Sequence, residues 1–177
     1  MSTAIATGPA ATHRGIRSAL ALVLFLASAF AVAGLGTLAT IQNVDGWYAD
    51  ADKAFWTPAN TVFGPVWTVL YSLMSVAAWL IWREPASPAR RRALAAYIAQ
   101  LVLNAVWTPV FFGLFPSIGA PALWIALVII VAVDVTVLVT MLRFWPVRRV
   151  AAVLLIPYWA WVLYATTLNV YIAVNSR

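Results

Sequence analysis

The sequence predicts an all-α membrane protein, a bundle of five transmembrane helices. Of its 177 residues, 64% are hydrophobic and only 9% are charged, whereas a soluble domain carries roughly a quarter charged residues. The few charges leave four uncharged runs, each longer than the ~20 residues that a spanning helix needs. The longest run, 41 residues from Ala93 to Val133, is broken midway by prolines. These observations exclude a water-soluble globule.

The first predicted helix covers residues 18–41 and follows an N-terminal tail, residues 1–17. It lies in an uncharged run of 27 residues, Ser18 to Val44. Arg14 and Arg17 before an apolar run with small residues are also typical of a cleaved signal peptide, which is the alternative interpretation. The run continues well beyond the apolar core of such a peptide, which favours a helix that stays in the membrane.

The other four helices are predicted at residues 60–82, 93–114, 120–142 and 150–173, so that residues 18–177 form one transmembrane domain. As a single helix, the 41-residue run would be about 60 Å long, twice the ~30 Å hydrocarbon core. It must therefore turn. The predicted turn is Phe115 to Gly119, which lies between Pro109 and Pro121. Pro157 predicts a kink near the start of the fifth helix.

The arginines predict the orientation. Five spans place nine of the eleven basic residues on one side of the membrane: Arg14, Arg17, Arg83, Arg90, Arg91, Arg92, Arg143, Arg148 and Arg149. Basic residues concentrate on the cytoplasmic side. We therefore expect a cytoplasmic N-terminus and an external C-terminus, in a membrane of a bacterial envelope.

Cysteine and histidine usage excludes several kinds of site. The chain has no cysteine, and its one histidine is His13, in the predicted tail. Thiol catalysis, disulfides and Cys- or His-based metal sites are therefore not expected. The net charge of +6 would also suit nucleic acid, but basic residues without a soluble domain to display them more often orient a membrane protein. We predict no nucleic-acid partner.

The first loop, residues 42–59, is rich in aromatic residues and unusually long. It contains Trp47, Tyr48, Phe55, Trp56 and Pro58. An aromatic belt at the lipid headgroups would explain any one of them. The other loops are short, so a loop of nearly twenty residues is more typical of a lid that covers a pocket.

Three helices each carry a stripe of aromatic and polar residues at helical spacing. Such stripes commonly pack helices together, and carboxamides can bond across helices. Their convergence also suits a flat apolar ligand with polar groups. The stripes are Trp67, Tyr71, Met74 and Ala78 in the second helix; Tyr97, Gln100, Asn104 and Trp107 in the third; and Tyr158, Trp161, Ala165 and Asn169 in the fifth.

Two further features leave alternatives open. Asp134 is the only acidic residue deep in a predicted span, and would be either a proton relay or a neutral, hydrogen-bonded carboxyl. Leu168, Tyr171 and Arg177 fit a loose pattern proposed for sterol contact. Arg177 as an interfacial anchor explains that pattern equally well.

With these residues placed, the chain resembles the TspO family, the translocator proteins also called peripheral benzodiazepine receptors. The resemblance runs from about Gly34 to Asn175. It is carried by several aromatic residues in order: Trp47-Tyr48, Lys53, Trp56-x-Pro58, Phe63 and Trp67-x2-Leu70-Tyr71-x2-Met74 in the loop and second helix; Gln100-Leu101-x2-Asn104-x2-Trp107 with Phe111-Phe112 in the third; and Pro157-Tyr158-x2-Trp161-Val162-x2-Ala165-Thr166-x-Leu168-Asn169 in the fifth. Ala54, Ala59 and Ser75 depart from the family pattern.

The resemblance implies a five-helix bundle, commonly a homodimer, with a pocket under the first loop. It implies binding of porphyrins, haem-pathway intermediates and, in some members, sterols and synthetic drugs. Family pocket positions correspond here to Tyr48, Pro58, Trp67, Asn104, Trp161 and Ala165, with Gln100 and Phe63 nearby. Trp67 and Trp161 match a pair implicated in light-dependent porphyrin breakdown.

The leading hypothesis is a membrane receptor or transporter-like protein that binds tetrapyrroles, and also sterols, with no cofactor required and haem only as a ligand. The ligand would contact the pocket positions together with Phe63, Tyr71, Gln100 and Trp107. The second hypothesis is enzymatic, with Trp67 and Trp161 as catalytic residues in porphyrin degradation. A third is a small proton-coupled transporter built around Asp134.

Overall fold

The structure is a computed structural model that describes the backbone of residues 9–176 and the side chains of residues 15–176. In that range the chain forms eight α-helices and one π-helical turn, with no strand. The elements are α1 Pro9–Ile41, α2 Trp47–Asp50, α3 Asn60–Trp82, α4 Pro88–Thr108, the π-helical turn Pro109–Gly113, α5 Phe115–Ile118, α6 Ala120–Phe144, α7 Arg149–Val153 and α8 Ile156–Asn175.

Five segments are long and apolar enough to cross a membrane, which confirms the predicted fold class. We call them the first to fifth spans: Gly15–Ile41, Asn60–Trp82, Pro88–Gly113, Ala120–Phe144 and Arg149–Asn175. The second begins and ends at the predicted residues. The first and third spans begin before the predicted residues, the fourth ends after them, and the fifth does both, while the third ends one residue early, at Gly113. Charge marks where the hydrocarbon core ends rather than where the backbone stops being helical.

Two helices begin before the residues at which the charge pattern predicted their start. α1 begins at Pro9, within the predicted tail, so that the backbone is helical through His13. α4 begins at Pro88, five residues before the predicted start, because Ser87 caps it: the Ser87 hydroxyl accepts a hydrogen bond from the Arg90 amide at 3.1 Å. A serine cap followed by proline is a strong helix start. Arg90 to Arg92 therefore extend a helix beyond the apolar core.

The helices break near prolines and at a glycine. The third span ends in the π-helical turn, and Gly119 adopts a φ of 66° between α5 and α6. Glycine reaches this left-handed conformation without the cost that a Cβ would bring. The fifth span is interrupted at Leu154 and Leu155, just before Pro157, which has no N–H to continue the helix.

The spans form a ring in the order first, second, fifth, fourth, third. The first span packs against the second and the third, the fourth lies between the third and the fifth, and the second meets the fifth. At one end, which we call the arginine end, Arg148 Nη1 pairs with Glu84 Oε1 at 2.8 Å. The opposite end, which we call the loop end, carries residues 42–59.

The first and second spans are joined in the half nearest the arginine end. The Ser75 hydroxyl shares its proton between the Tyr71 carbonyl of its own helix at 2.7 Å and the Phe25 carbonyl at 3.2 Å. Trp79 Nε1 donates to the Ser18 carbonyl at 2.8 Å. Ser75 is one of the departures from the family pattern, and its hydroxyl here links two spans. The loop-end halves of the same helices border a cavity.

Candidate functional site

A cavity of about 460 Å³ lies at the loop end, inside the ring. Its walls come from the first, second, third and fifth spans and from the first loop. The fourth span contributes none of the lining residues. The residues singled out from the helical stripes, the first loop, the family pocket and the sterol pattern include nine that line it: Tyr48, Phe63, Trp67, Tyr71, Trp107, Trp161, Ala165, Leu168 and Asn169.

Aromatic rings form most of the cavity wall. Trp67 lies over Tyr71 in a stacked arrangement, with ring centroids 5.2 Å apart. Phe63 meets Trp161 edge-on at 5.8 Å, which joins the second span to the fifth. Ring pairs at these separations add roughly 0.5–1.5 kcal/mol beyond the area they bury. The two indoles are thus held in place from separate helices.

A hydrogen-bonded cluster lies behind this wall. Tyr71 Oη donates to Asn104 Oδ1 at 3.0 Å, Asn104 Nδ2 donates to Tyr158 Oη at 2.7 Å, and Tyr158 Oη donates to Gln100 Oε1 at 2.9 Å. Asn104 is 5% exposed and Gln100 1% exposed. Neither lines the main cavity, although both were expected to contact the ligand. Their polar atoms instead meet two tyrosines.

The first loop is fixed over the cavity by its polar groups. Trp47 Nε1 donates to the Phe112 carbonyl at 3.0 Å, and the Trp47 ring stacks on Phe115 at 4.0 Å. Lys53 Nζ donates to the carbonyls of Tyr48 and Ala49 at 2.7 and 2.8 Å. The cation thus satisfies free carbonyls of the short helix α2.

The second half of the loop rests on the fifth span. Trp56 Nε1 donates to Thr167 Oγ1 at 3.3 Å, and the Tyr164 hydroxyl donates to the Trp56 carbonyl. Pro58 is half-buried in this segment and does not line the cavity. Burial raises the pKa of Tyr48, and nearby Tyr164 raises it further. Tyr48, which lines the cavity, is therefore neutral.

The sequence patterns missed the first span as a wall. Phe30, Thr37 and Thr40 line the cavity, as do Phe111 and Phe112 around the π-helical turn. The signal was weak, because the first span shows no aromatic stripe. Threonines three residues apart, after Gly34 and Gly36, mark its cavity face in retrospect.

Asn169 joins the fifth span to its neighbours and also lines the cavity. Its Oδ1 accepts from Trp107 Nε1 at 3.2 Å, and its Nδ2 donates to the Leu123 carbonyl at 3.1 Å. Both amide atoms are therefore used within the protein. Like Asn104, Asn169 positions an aromatic wall residue.

The other singled-out residues do not form a second site. Asp134 lies between the fourth and fifth spans, 8% exposed, where Oδ2 accepts from Thr166 Oγ1 at 2.8 Å; it does not line the cavity. Tyr171 lies against the Trp56 ring at 5.5 Å, away from the cavity that Leu168 lines. Arg177 lies outside the described residues.

This ordered set of aromatic residues around one cavity matches a known family. The model of the TspO/MBR family matches residues 21–174. The chain belongs to the TspO/MBR family. The match covers the loop over the cavity and all five spans, except for the first residues of the first span and the last residue of the fifth.

Several members of the TspO/MBR family are similar along most of their length. The tryptophan-rich protein TspO of Archaeoglobus fulgidus is 36% identical over 150 residues, 85% of this chain and 93% of that protein. The translocator protein of Homo sapiens is 38% identical over 125 residues, 70% of each chain. The tryptophan-rich sensory protein of Cereibacter sphaeroides is 37% identical over 146 residues, 82% of this chain and 87% of that one.

The chemistry of the cavity is that of a neutral, aromatic container. Its lining contains no charged, Met, His or Cys side chain among the residues that the structure describes. In the same part of the chain no group of three His, Cys, Asp or Glu residues could hold a metal ion. Stacking and neutral hydrogen bonds are what this lining offers to a ligand.

Proposed function

We propose that the protein is a membrane receptor or transporter-like protein that binds tetrapyrroles in the cavity under the first loop. The observation that carries the proposal is that Trp67 and Trp161, from different spans, line the same cavity beside Tyr71 and Phe63. A porphyrin is a broad flat aromatic ring, and indole faces stack well on such rings. Its ring would lie against these indoles.

The volume of the cavity supports a ligand of moderate size. Small-molecule pockets are typically 300–1,000 Å³ and mostly apolar, with a few polar groups that fix orientation. Here about 460 Å³ is bordered by aromatic rings, threonine hydroxyls and the neutral Tyr48. Because no charged side chain lines the cavity, we expect charged groups of a ligand to lie at its loop end, nearest the lipid headgroups.

The proposed binding does not depend on a metal. The usual axial ligands of haem iron are His, Cys, Met and Tyr side chains. Met74 is fully buried outside the cavity lining, and the Tyr71 hydroxyl is already bonded to Asn104. Tyr48 lines the cavity, but burial raises its pKa and so disfavours the phenolate that binds iron. Haem would therefore gain little over a metal-free ring, so the ring itself is the feature recognised.

Titration of the purified full chain with protoporphyrin and with haem tests this proposal. We expect saturable binding of both, with dissociation constants within tenfold of each other. The absence of saturable binding would contradict tetrapyrrole recognition, and a free-base affinity more than tenfold weaker than that of haem would contradict metal-independent stacking. A sterol, titrated in parallel, is the alternative ligand.

Porphyrin degradation is a second candidate function, favoured by the position of two oxidisable indoles in one cavity. Illumination of the protein with bound protoporphyrin, in air, would then bleach the pigment faster than in vesicles without protein. Trp67→Phe and Trp161→Phe should slow that bleaching if the indoles take part. A binder without this activity would protect the pigment or leave it unchanged.

The proton-coupled transporter hypothesis draws less support. Asp134 is separated from the cavity and hydrogen-bonded to Thr166. If transport does depend on this carboxyl, Asp134→Asn should abolish uptake into vesicles while ligand binding stays intact. Unchanged uptake would remove the hypothesis.

A further inference from the structure

We propose that the cavity opens sideways into the bilayer, through a portal between the first and second spans bordered by Thr37, Gly64 and Thr68. The ligand would then be a membrane-dissolved molecule that enters from the lipid rather than from water. This inference rests on the proposed function for the identity of the ligand, but the position of the opening is a property of the helices themselves.

The exposed residues of the cavity lining all lie on the first and second spans, which places the portal between them. Every cavity-lining residue that is exposed belongs to the first or second span: Phe30, Thr37, Ile41, Asn60, Gly64 and Thr68. On the fifth span, Ala165 and Leu168 are no more than 8% exposed, and no lining residue of the third span is exposed. One side of the cavity is therefore open.

The contacts between the helices explain why the opening lies on that side. The two hydrogen bonds that join the first and second spans, from Ser75 and from Trp79, lie toward the arginine end. Phe30 and Tyr71, with ring centroids 6.4 Å apart, mark the bottom of the opening. Among the described residues, no hydrogen bond joins these helices above that pair.

The neighbouring sides are closed. A Cβ on Gly36 would lie 3.4 Å from the Thr108 side chain, so the first and third spans approach closely there. Phe63 and Trp161 close the gap between the second and fifth spans. The Trp47 hydrogen bond to Phe112 holds the loop across the top.

The depth of the opening places it in the hydrocarbon region. Thr68 is eight residues beyond Asn60, which is about 12 Å along a helix axis. The hydroxyls of Thr37 and Thr68 donate to carbonyls four residues earlier in their own helices, at 3.0 and 2.9 Å. Such hydroxyls present no unpaired donor to lipid.

Small residues and a proline keep the gap open. A Cβ added at Gly64 would meet no atom within 4 Å. Pro65, inside α3, has no N–H for the Thr61 carbonyl, and a proline in this position bends a helix. The first two turns of the second span are therefore not held against the first span.

Thiol labelling tests the portal without any ligand, and the chain has no cysteine of its own. In vesicles that expose the loop end, Thr68→Cys should react with a membrane-soluble maleimide. With a charged, impermeant thiol reagent, Thr68→Cys should react at least tenfold more slowly than the control variant does with the same reagent. The control, Asp50→Cys in the exposed part of the loop, should react with both. Equal reaction of Thr68→Cys with the charged reagent would mean that the opening faces water, which overturns the portal.

Binding kinetics test the route itself. Gly64→Trp should slow both association and dissociation of protoporphyrin at least tenfold, because an indole at the opening obstructs passage in both directions. Gly34→Trp is the matched control, because a Cβ there also meets open space but Gly34 does not line the cavity. Unchanged rates in Gly64→Trp, or faster dissociation alone, would overturn the route. Failure of the wild type to bind protoporphyrin would instead contradict the proposed function and leave the labelling result to decide the portal.

Discussion

At the scale of single residues, Trp67 and Trp161 are expected to contribute most to ligand affinity. Trp67→Ala and Trp161→Ala should each weaken protoporphyrin binding about tenfold, since a lost stacking contact of roughly 1.4 kcal/mol corresponds to a factor of ten. Trp124→Ala is the control, because Trp124 is 49% exposed on the fourth span, outside the cavity. A fluorescence titration measures all three. An equal loss in Trp124→Ala would mean that general destabilisation, not stacking, causes the effect.

Asn104 is expected to affect stability before it affects ligand contact. Asn104→Leu leaves the Tyr71 hydroxyl without its acceptor and removes the amide that donates to Tyr158 Oη, which keeps its hydrogen bond to Gln100 Oε1. A buried unpaired polar group costs about 1–3 kcal/mol. The thermal unfolding midpoint in detergent should fall by several degrees. Tyr158→Phe, combined with Asn104→Leu, should cost less than the sum of the two single changes. Strict additivity would contradict a shared cluster.

The sequence predicted which faces carry the site but not which polar atoms are free. Helical spacing placed Trp67, Tyr71, Trp107 and Trp161 on inner faces, and the structure brings them to one cavity. The same spacing placed Asn104 inside. Spacing does not reveal that tyrosines from two other helices use its amide, because that depends on how the helices are arranged around the ring.

At the scale of elements, the first loop acts as a lid whose hold depends on Lys53. Lys53→Ala removes two hydrogen bonds to the carbonyls of α2. For a half-exposed lysine we expect a loss of about 1 kcal/mol, which is roughly a fivefold change. Protoporphyrin should dissociate about fivefold faster, and backbone amides 47–51 should exchange faster. Asp52→Ala, an exposed neighbour, is the control; the same change there would contradict the role of Lys53.

The elements themselves were predictable because few charges interrupt long apolar runs. All five spans follow from those runs, and the breaks near Gly119 and Pro157 follow from backbone chemistry. The role of the first span as a wall was not predictable. Its glycines and threonines could equally face lipid, and only the arrangement of the packed helices shows that some of them line a cavity.

At the scale of the whole molecule, charge is divided between the two ends. Among the described residues, the arginine end carries eight arginines and one acidic residue, Glu84. The loop end carries one basic residue, Lys53, and three acidic ones, Asp45, Asp50 and Asp52. The positive-inside rule therefore predicts that the loop end faces away from the cytoplasm. In intact cells, Asp50→Cys should react with an impermeant thiol reagent, and Arg92→Cys only after permeabilisation. The reverse pattern would contradict the orientation.

The proposed function requires one cavity that holds one planar ligand, and filling that cavity tests this requirement most directly. Ala165 lines the cavity at 8% exposure, whereas Ala160, on the same helix, is exposed on the outer surface. In a protoporphyrin titration of the folded full chain, Ala160→Phe should bind one ligand per chain with wild-type affinity. Ala165→Phe should lose saturable binding or weaken it more than about tenfold. Wild-type binding by Ala165→Phe would contradict the account, because the ligand would then lie elsewhere.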